Sequence, residues 1–305
     1  MAPMSGITSL PFRLMCKKYG ADVVYSEMIN ADAIIMENKK TKKRVEYLTQ
    51  ERPIGIQLMG SHIDVLKHAA LKIEKELHPD ILDINFGCPA YNVIKTGSGS
   101  VILNDLDYLS EIVLTLVNSV SIPVTCKMRI LEDDEKTLQA AKIIEKCGAK
   151  ALTVHGRTAK QKYSGEANWD IIKIIKQELK IPVYLNGDVI DEKSAQKAFS
   201  YTNCDGVMVG RASIGNPFIF KKISVYLKTG KIVEQNFEDK INDFLEFLKL
   251  CKKYGFLSIS SIKTQAQYFT KGFCSGEVRK AISEVKTIDE IEAFFVNLAK
   301  DVKKI

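Results

Sequence analysis

The sequence predicts an α/β fold: a (β/α)8 TIM barrel followed by a small C-terminal helical domain. Three observations carry this. Strand-like and helix-like segments alternate, with strand starts recurring roughly every thirty residues, the size of one strand-helix unit. The alternation stops near residue 230, and only helical periodicity follows. Strand after strand ends in a polar residue on its non-apolar face, as in barrels whose chemistry sits at the carboxyl ends of the strands.

Taken in order, a stub at Ala2-Pro3-Met4 supplies one strand position. Residues 10–19 read as a helix with Pro11 in the first turn and Gly20 as its stop. A strand is expected at 22–28 and another at 53–59. The helix after it has Ser61 as a cap and Ile63, Leu66, Ala70, Ile73 and Leu77 on one face. Strand 81–86 precedes helix 105–117, strand 122–130 precedes helix 135–147, and strand 150–155 precedes helix 168–179. Strand 181–186, helix 191–199 and strand 205–209 complete the barrel. Helices follow at 237–254, 258–273, 276–285 and 288–302, the last with Thr287 as cap and Glu290 completing a capping box. This divides the chain into a barrel domain (1–230) and a helical domain (231–305), linked near 229–235.

Composition bounds the function. The chain has 305 residues, 46% of them hydrophobic, enough for one large domain plus a small one. No run approaches a membrane span, and Met1-Ala2-Pro3-Met4-Ser5-Gly6 lacks a charged-then-apolar signal pattern. Seven cysteines without paired spacing argue against a disulfide framework or a zinc site, so a cytoplasmic location is expected. His62, His68 and His78 fall in one surface helix, and no cluster has metal-ligand spacing. The net charge of +7 permits a polyanionic partner.

The chemistry concentrates at Asp83-Ile84-Asn85-Phe86-Gly87-Cys88-Pro89. Leu82, Ile84 and Phe86 share one face of a strand and Asp83 and Asn85 the other; the Gly-Cys-Pro stop leaves a thiol at the carboxyl end. A lone cysteine is most often structural. What changes the reading is its company. Gln57, Asn85, Lys127, His155 and Asn186 all fall at strand ends on the polar face. Buried polar groups left unpaired cost roughly 1–3 kcal/mol each, so this set calls for a polar ligand. Asn186-Gly187-Asp188 and Gly210-Arg211 follow the last two strands, where such barrels build phosphate sites from loop amides. Gly97-Ser98-Gly99-Ser100 reads as a flexible stretch able to close over substrate.

These motifs resemble those of the tRNA-dihydrouridine synthases along nearly the whole chain. The resemblance rests on Ala2-Pro3-Met4-x-Gly6, Pro11-Phe12-Arg13, Ser26-Glu27-Met28, Gln57-Leu58-x-Gly60 and Asp83-x-Asn85-x-Gly87-Cys88-Pro89. It continues through Gly97-x-Gly99-Ser100, Lys127-x-Arg129, His155-Gly156-Arg157-Thr158, Asn186-Gly187-Asp188, Gly206-Val207-Met208-Val209-Gly210-Arg211 and Tyr268-x-x-Lys271-Gly272 with Arg279-Lys280. It implies an FMN-dependent reduction of uridines in tRNA with NADPH as electron source. It places Gln57, Lys127, His155, Asn186, Gly187, Asp188, Gly210 and Arg211 around the flavin and Pro3 and Met4 along its ring. Asn85, Arg129 and Arg157 would meet the substrate, and Cys88 would donate the proton. Two departures stand out. The family has several residues before Ala-Pro-Met, so either this chain begins late or the barrel seam is built differently. A basic and histidine cluster usual in the helical domain reads Ile262-Lys263-Thr264 here.

Reducing the uracil double bond needs a hydride at C6 and a proton at C5. No side chain stores a hydride, so a flavin must carry it. An ordinary thiol, pKa about 8.5, is mostly protonated near neutrality and suits the acid's role. Lys127 would stabilise negative charge on the reduced flavin. Two basic stretches could meet RNA phosphates. Residues 249–286 carry eight Lys or Arg against two acids, and Lys39-Lys40-Thr41-Lys42-Lys43-Arg44 forms a second run. Tyr268, Phe269 and Phe273 are expected in the core. A rival reading, an FMN barrel enzyme acting on a small molecule such as dihydroorotate, shares the phosphate site and Lys127 but has no use for a basic helical appendage. A non-enzymatic RNA-binding module would carry no flavin at all.

Overall fold

The computed structural model describes residues 1–272 and 276–302. In chain order the elements are α1 (Leu10–Lys18), β1 (Val24–Tyr25), β2 (Ile29–Asn30), α2 (Ala31–Ile35), α3 (Lys39–Val45), β3 (Ile54–Met59), α4 (Ile63–Leu77), β4 (Ile81–Phe86) and α5 (Tyr91–Ile94). Then come α6 (Leu106–Ser119), β5 (Val124–Arg129), α7 (Asp134–Lys146), β6 (Ala151–His155), α8 (Trp169–Glu178), β7 (Val183–Asn186), α9 (Glu192–Thr202), β8 (Gly206–Met208) and α10 (Ile219–Thr229). Four helices end the chain: α11 (Phe237–Tyr254), α12 (Ile259–Phe269), α13 (Gly276–Glu284) and α14 (Ile288–Val302).

All strand pairs are parallel, in the order β1-β3-β4-β5-β6-β7-β8, with β2 also on β3. This is the expected TIM-barrel plan with C-terminal helices. Of the strand expected at 22–28 only β1 forms; β2 follows just beyond that span, and each is two residues long and pairs with β3. The stub is shorter than a strand: at the seam the Ala2 amide donates to Val209 O at 2.8 Å and the Met1 amine to Val23 O at 2.8 Å.

The alternation in each strand sorts two cores. Ile54, Ile56, Leu58, Leu82, Ile84, Phe86, Val124, Cys126 and Met128 are all buried and point outward to the helices. Inside, the barrel floor is filled by aromatics lying over glycines. A Cβ on Gly55 would sit 2.4 Å from the Tyr25 ring, and one on Gly206 would sit 2.6 Å from Tyr184.

Most barrel helices start on side-chain caps. Asp105, Asp133, Asn168 and Asp191 each accept backbone N–H groups of the first turn. The helix after β3 departs from expectation: His62, not Ser61, is its N-cap, with no side-chain bond. The short α2, α3 and α5 and the longer α10 have no counterpart among the expected helices. At the other end Thr287 caps α14 as expected, but Glu290 reaches the Lys286 amide rather than that of Thr287.

The C-terminal helices pack around Phe244, Phe247, Phe269 and Phe295, with Phe244 and Phe295 rings 3.9 Å apart. They meet the barrel at a buried carboxylate. Asp243 on α11 accepts from Tyr19 Oη at 2.5 Å, Lys18 Nζ at 3.1 Å and Gln235 Nε2 at 2.5 Å. A second junction runs along α12. A Cβ on Gly215, whose φ is +61°, would lie 2.4 Å from the backbone of Tyr268 and Phe269. Only glycine allows that approach. Phe269 is buried as expected, but Tyr268 is 40% exposed and faces the barrel's mouth. Phe273 and Cys274 lie outside the described residues.

Candidate active site

A cavity of about 1100 Å³ opens at the carboxyl ends of the strands. Its wall includes Pro3, Met4, Gln57, Asn85, Cys88, Lys127, Arg129, His155, Asn186, Gly187, Asp188, Gly210 and Arg211. Strand register explains the convergence: Asn85 lies beside Lys127, Arg129 beside His155, and His155 beside Asn186. Of the site residues expected from sequence, only Arg157 is missing from that wall.

A chain of hydrogen bonds runs up from the barrel interior to the thiol. Thr125 Oγ1 donates to one oxygen of Asp83 at 2.6 Å, and Gln57 Nε2 donates to the other at 2.7 Å. Asn85 Nδ2 donates to Gln57 Oε1 at 2.8 Å. Asn85 Oδ1 in turn accepts from the Gly87 amide at 3.1 Å and the Cys88 amide at 2.9 Å. The chain is donor-only backbone at one end and acceptor carboxylate at the other, so both amides have one permitted orientation. Asn85 thus shapes the turn that carries Cys88 and keeps one N–H free. Burial pushes the Asp83 carboxyl up to about 6, against the pull of its Thr125 and Gln57 donors and of Lys127.

The Gly97–Ser100 stretch is a brace rather than a flexible cover. Ser98 and Ser100 are buried, and Ser100 donates to Cys88 O from its amide (3.2 Å) and its hydroxyl (3.1 Å). A Cβ on Gly99, with φ of +69°, would lie 2.7 Å from Cys88 O. The glycine is there because the thiol turn presses on it.

Across the cavity the cations differ in what they have left to offer. Lys127 makes no hydrogen bond among the described residues, and burial, aided by the Arg129 charge, lowers its pKa to about 8. His155 is held neutral, lowered to about 2 by burial and then by Lys127, Arg129, Arg157 and Arg211. Arg129 is 3% exposed and donates to Gly87 O (2.8 Å), Thr158 O (2.9 Å) and Lys162 O (2.9 Å). Arg157, equally buried, donates to Ser164 O (3.2 Å), Gly165 O (2.7 Å) and the Asp188 carboxylate (2.8 Å). Arg157 lies off the cavity wall and holds the loop after β6 against the loop after β7, while its Nη1 is buried with no partner among the described residues.

Beyond β7 and β8 the backbone itself is the polar surface. The amides of Gly187, Asp188, Val189 and Gly210 find no acceptor among the described residues. Gly187 has φ of +117° and Asp188 φ of +57°, and a Cβ on Gly187 would meet Ala167 at 2.8 Å. The Asp188 carboxylate is turned inward onto the Ala167 amide (2.7 Å) and Arg157, leaving its N–H outward. Unpaired amides beside the Arg211 guanidinium form an anion cradle. Asn186 donates to Met208 O at 2.7 Å and keeps its carbonyl oxygen free.

Sequence reasoning left several wall residues unassigned. Beneath the wall, Asp83 and Thr125 lie on the polar faces of their strands, two positions before Asn85 and Lys127, and that alternation is the signal for the buried end of the chain. Tyr91, at the start of the short α5, and Lys162, Tyr163 and Ile190, from loops, also line the cavity, and segments this short carry no periodicity.

Fold and rim together define a parallel-barrel enzyme built to hold a polar, anion-bearing ligand beside one thiol. A family model described as dihydrouridine synthase (Dus) matches residues 1–303. The tRNA-dihydrouridine synthase B of Pasteurella multocida (strain Pm70) is 38% identical over 252 residues, which is 82% of this chain and 76% of the relative. That of Pseudomonas syringae pv. tomato is 40% identical over 233 residues, 76% and 69% of the two chains. A probable tRNA-dihydrouridine synthase of Rickettsia bellii is 41% identical over 234 residues, 76% and 72%. The chain belongs to the dihydrouridine synthase family. Among solved structures, an old yellow enzyme homologue from Zymomonas mobilis shares the fold, with a TM-score of 0.50 at 13% identity over 78% of this chain and 87% of that one. Histamine dehydrogenase from Rhizobium sp. 4-9 gives 0.53 at 14% identity, covering 80% of this chain and 46% of its own.

Proposed function

We propose that this protein reduces the C5–C6 double bond of uridine in tRNA, with FMN as bound cofactor and NADPH as electron source, in the cytoplasm. Support comes from family membership and from the rim, whose free groups suit a flavin mononucleotide. The amides of residues 187–189 and 210, with Arg211, would take the phosphate, and Pro3 and Met4 would flank the ring. When bound, the reduced flavin supplies the hydride that C6 receives.

The chain's own residues do the rest. Lys127 holds a positive charge against the electron-rich pyrimidine edge. His155, being neutral, serves as a hydrogen-bonding group and not as the acid. Asn85 directs its free N–H to a uracil carbonyl while its oxygen fixes the turn. Cys88, half-buried at the cavity wall, gives its S–H proton to C5. Arg129 acts as a brace that ties the thiol turn to the loop after β6. The reading rests most on one observation, the Asp83-Gln57-Asn85 chain that ends on the Cys88 amide.

The basic stretches are thinner than their counts suggest. Lys252 is paired with Asp289 and Glu292, Lys263 donates to Ser283 O, and Lys42, Lys43 and Arg44 each face a glutamate. Lys39, Lys40, Lys249, Lys253, Lys271, Arg279, Lys280 and Lys286 form no ion pair among the described residues and are the candidates for phosphate contact. Cys88→Ala tests the reading: it keeps bound FMN and NADPH-driven flavin reduction but forms dihydrouridine about 10²–10⁴-fold more slowly. Normal dihydrouridine formation by that variant removes Cys88 from the mechanism.

A further inference from the structure

Three tyrosines stand open to solvent on the wall of this cavity, each from a different element. Tyr91 begins α5, just past Cys88, and is 76% exposed; Tyr163 lies in the loop after β6 and is 58% exposed; Tyr268 is on α12 and is 40% exposed. Single exposed aromatics are ordinary, but three gathered around one opening mark an interaction surface. The backbone that carries each of these three is held in place. Arg129 and Arg157, both buried, together grip four carbonyls of residues 158–165. Lys162, just before Tyr163, is bent to φ of +53°, a conformation side chains resist. The result is a rigid loop that lifts Tyr163 to the rim. Its ring lies 4.7 Å from the Arg211 guanidinium carbon and 5.8 Å from that of Arg129. Tyr268 is fixed from behind by Gly215, and the Tyr91 turn by Val93 against Gly99.

Between the rings stand Lys162, Arg211 and Lys271, all on the same wall. Flat π-faces interleaved with cations at a wet rim suit single-stranded nucleic acid, whose bases stack while its phosphates meet the charges. A base entering the cavity has to leave its stack, and its two neighbours then lose a partner. The rim offers replacements at that point.

We propose that Tyr91, Tyr163 and Tyr268 stack against the nucleotides flanking the uridine that enters the cavity, and so position it over the site. This rests on the tRNA reading above and adds the residues that select an extruded nucleotide. The aromatic face is the working part, not the hydroxyl.

The test uses flavin-loaded full-length protein and unmodified tRNA transcript. Tyr163→Ala and Tyr268→Ala each raise KM for tRNA about tenfold, as loss of one stacked base does. Tyr163→Phe and Tyr268→Phe stay within about twofold of wild type. FMN content and the rate of flavin reduction by NADPH hold in all four, which also shows that the variants fold. The salt slope of tRNA binding is kept in the alanine variants, whereas Lys271→Ala lowers it by about one. Alanine variants with unchanged KM, phenylalanine variants as poor as alanine, or a raised KM for NADPH instead would each overturn the proposal. Failure of the wild-type protein to form dihydrouridine in any tRNA is a separate outcome, visible before any variant is made; it sinks the tRNA reading, and this inference with it.

Discussion

The barrel rim and the C-terminal helices use polar groups in opposite ways. At the rim, Lys127, the amides of residues 187–189 and one N–H of Asn85 face the cavity unpaired, although neighbouring groups are tied down by buried hydrogen bonds. On the helices a set of charges is spent on pairing: Lys252 bridges Asp289 and Glu292, and Asp243 and Glu246 take the Lys18 ammonium of α1. Burying a polar group without a partner costs free energy, so evolution keeps such groups only where a ligand completes them. Pairing marks support; its lack, inside a cavity, marks function.

That contrast can be broken at graded points. The largest effect is expected at Arg13, fully buried on α1 and bonded to Glu51 (2.6 Å), Thr8 O (2.9 Å) and Glu46 O (2.6 Å). Arg13→Ala strands Glu51 in the core and costs about 3–5 kcal/mol by urea denaturation. Lys127→Met comes next. It leaves stability intact but slows uridine reduction roughly a hundredfold in single turnover from the reduced enzyme. Burial lowers this amine to about 8 in the flavin-free cavity and a bound anion raises it again, so in the wild type the rate declines only at a pH above about 8, and the decline vanishes in the variant. For stability the sign reverses. The flavin-free protein holds Lys127 at a pKa below its unfolded 10.5, so this group's penalty is relieved as pH rises from about 8 to 10.5.

A smaller effect is expected where the two regions join. Asp243→Ala strands Gln235 and Tyr19 and costs about 2 kcal/mol, with tRNA affinity falling while flavin reduction holds. The smallest is at Lys252→Ala. Its ion pairs lie on the surface, so melting shifts by less than about 1 kcal/mol and the salt slope of tRNA binding stays put. A large loss of tRNA affinity in this last variant would erase the distinction between paired and unpaired cations.

Much of this was legible before the structure. Period-two alternation placed Gln57, Asn85, Lys127, His155 and Asn186 on inward faces, because a strand has only two faces and the apolar row claims one. The same reading had Asp83 and Thr125 facing inward but assigned them no task. Their bonds cross between strands, and pairing register is not a property of any one segment. For Arg157 a guanidinium in a motif shows its charge but not which carbonyls take its donors: Nε and Nη2 hold loop carbonyls and Asp188, while Nη1 stays without a partner among the described residues. Tyr268 looked like core because it sits beside Phe269 in a helix, and adjacent residues point about 100° apart. Gly97–Ser100 looked mobile from its glycines. In place Gly99 is demanded by contact with the backbone of Cys88.

The sequence by itself determined the parallel barrel, the polar rim and the thiol, since strand periodicity and turn chemistry are local and each residue declares its own. Tertiary structure alone decided which polar groups are consumed by one another and which stay free, because hydrogen-bond partners come from strands and loops distant in the chain. It alone also brought a tyrosine of α12 to the mouth of a barrel that ends some forty residues earlier, a meeting set by how the helices dock and not by any local pattern.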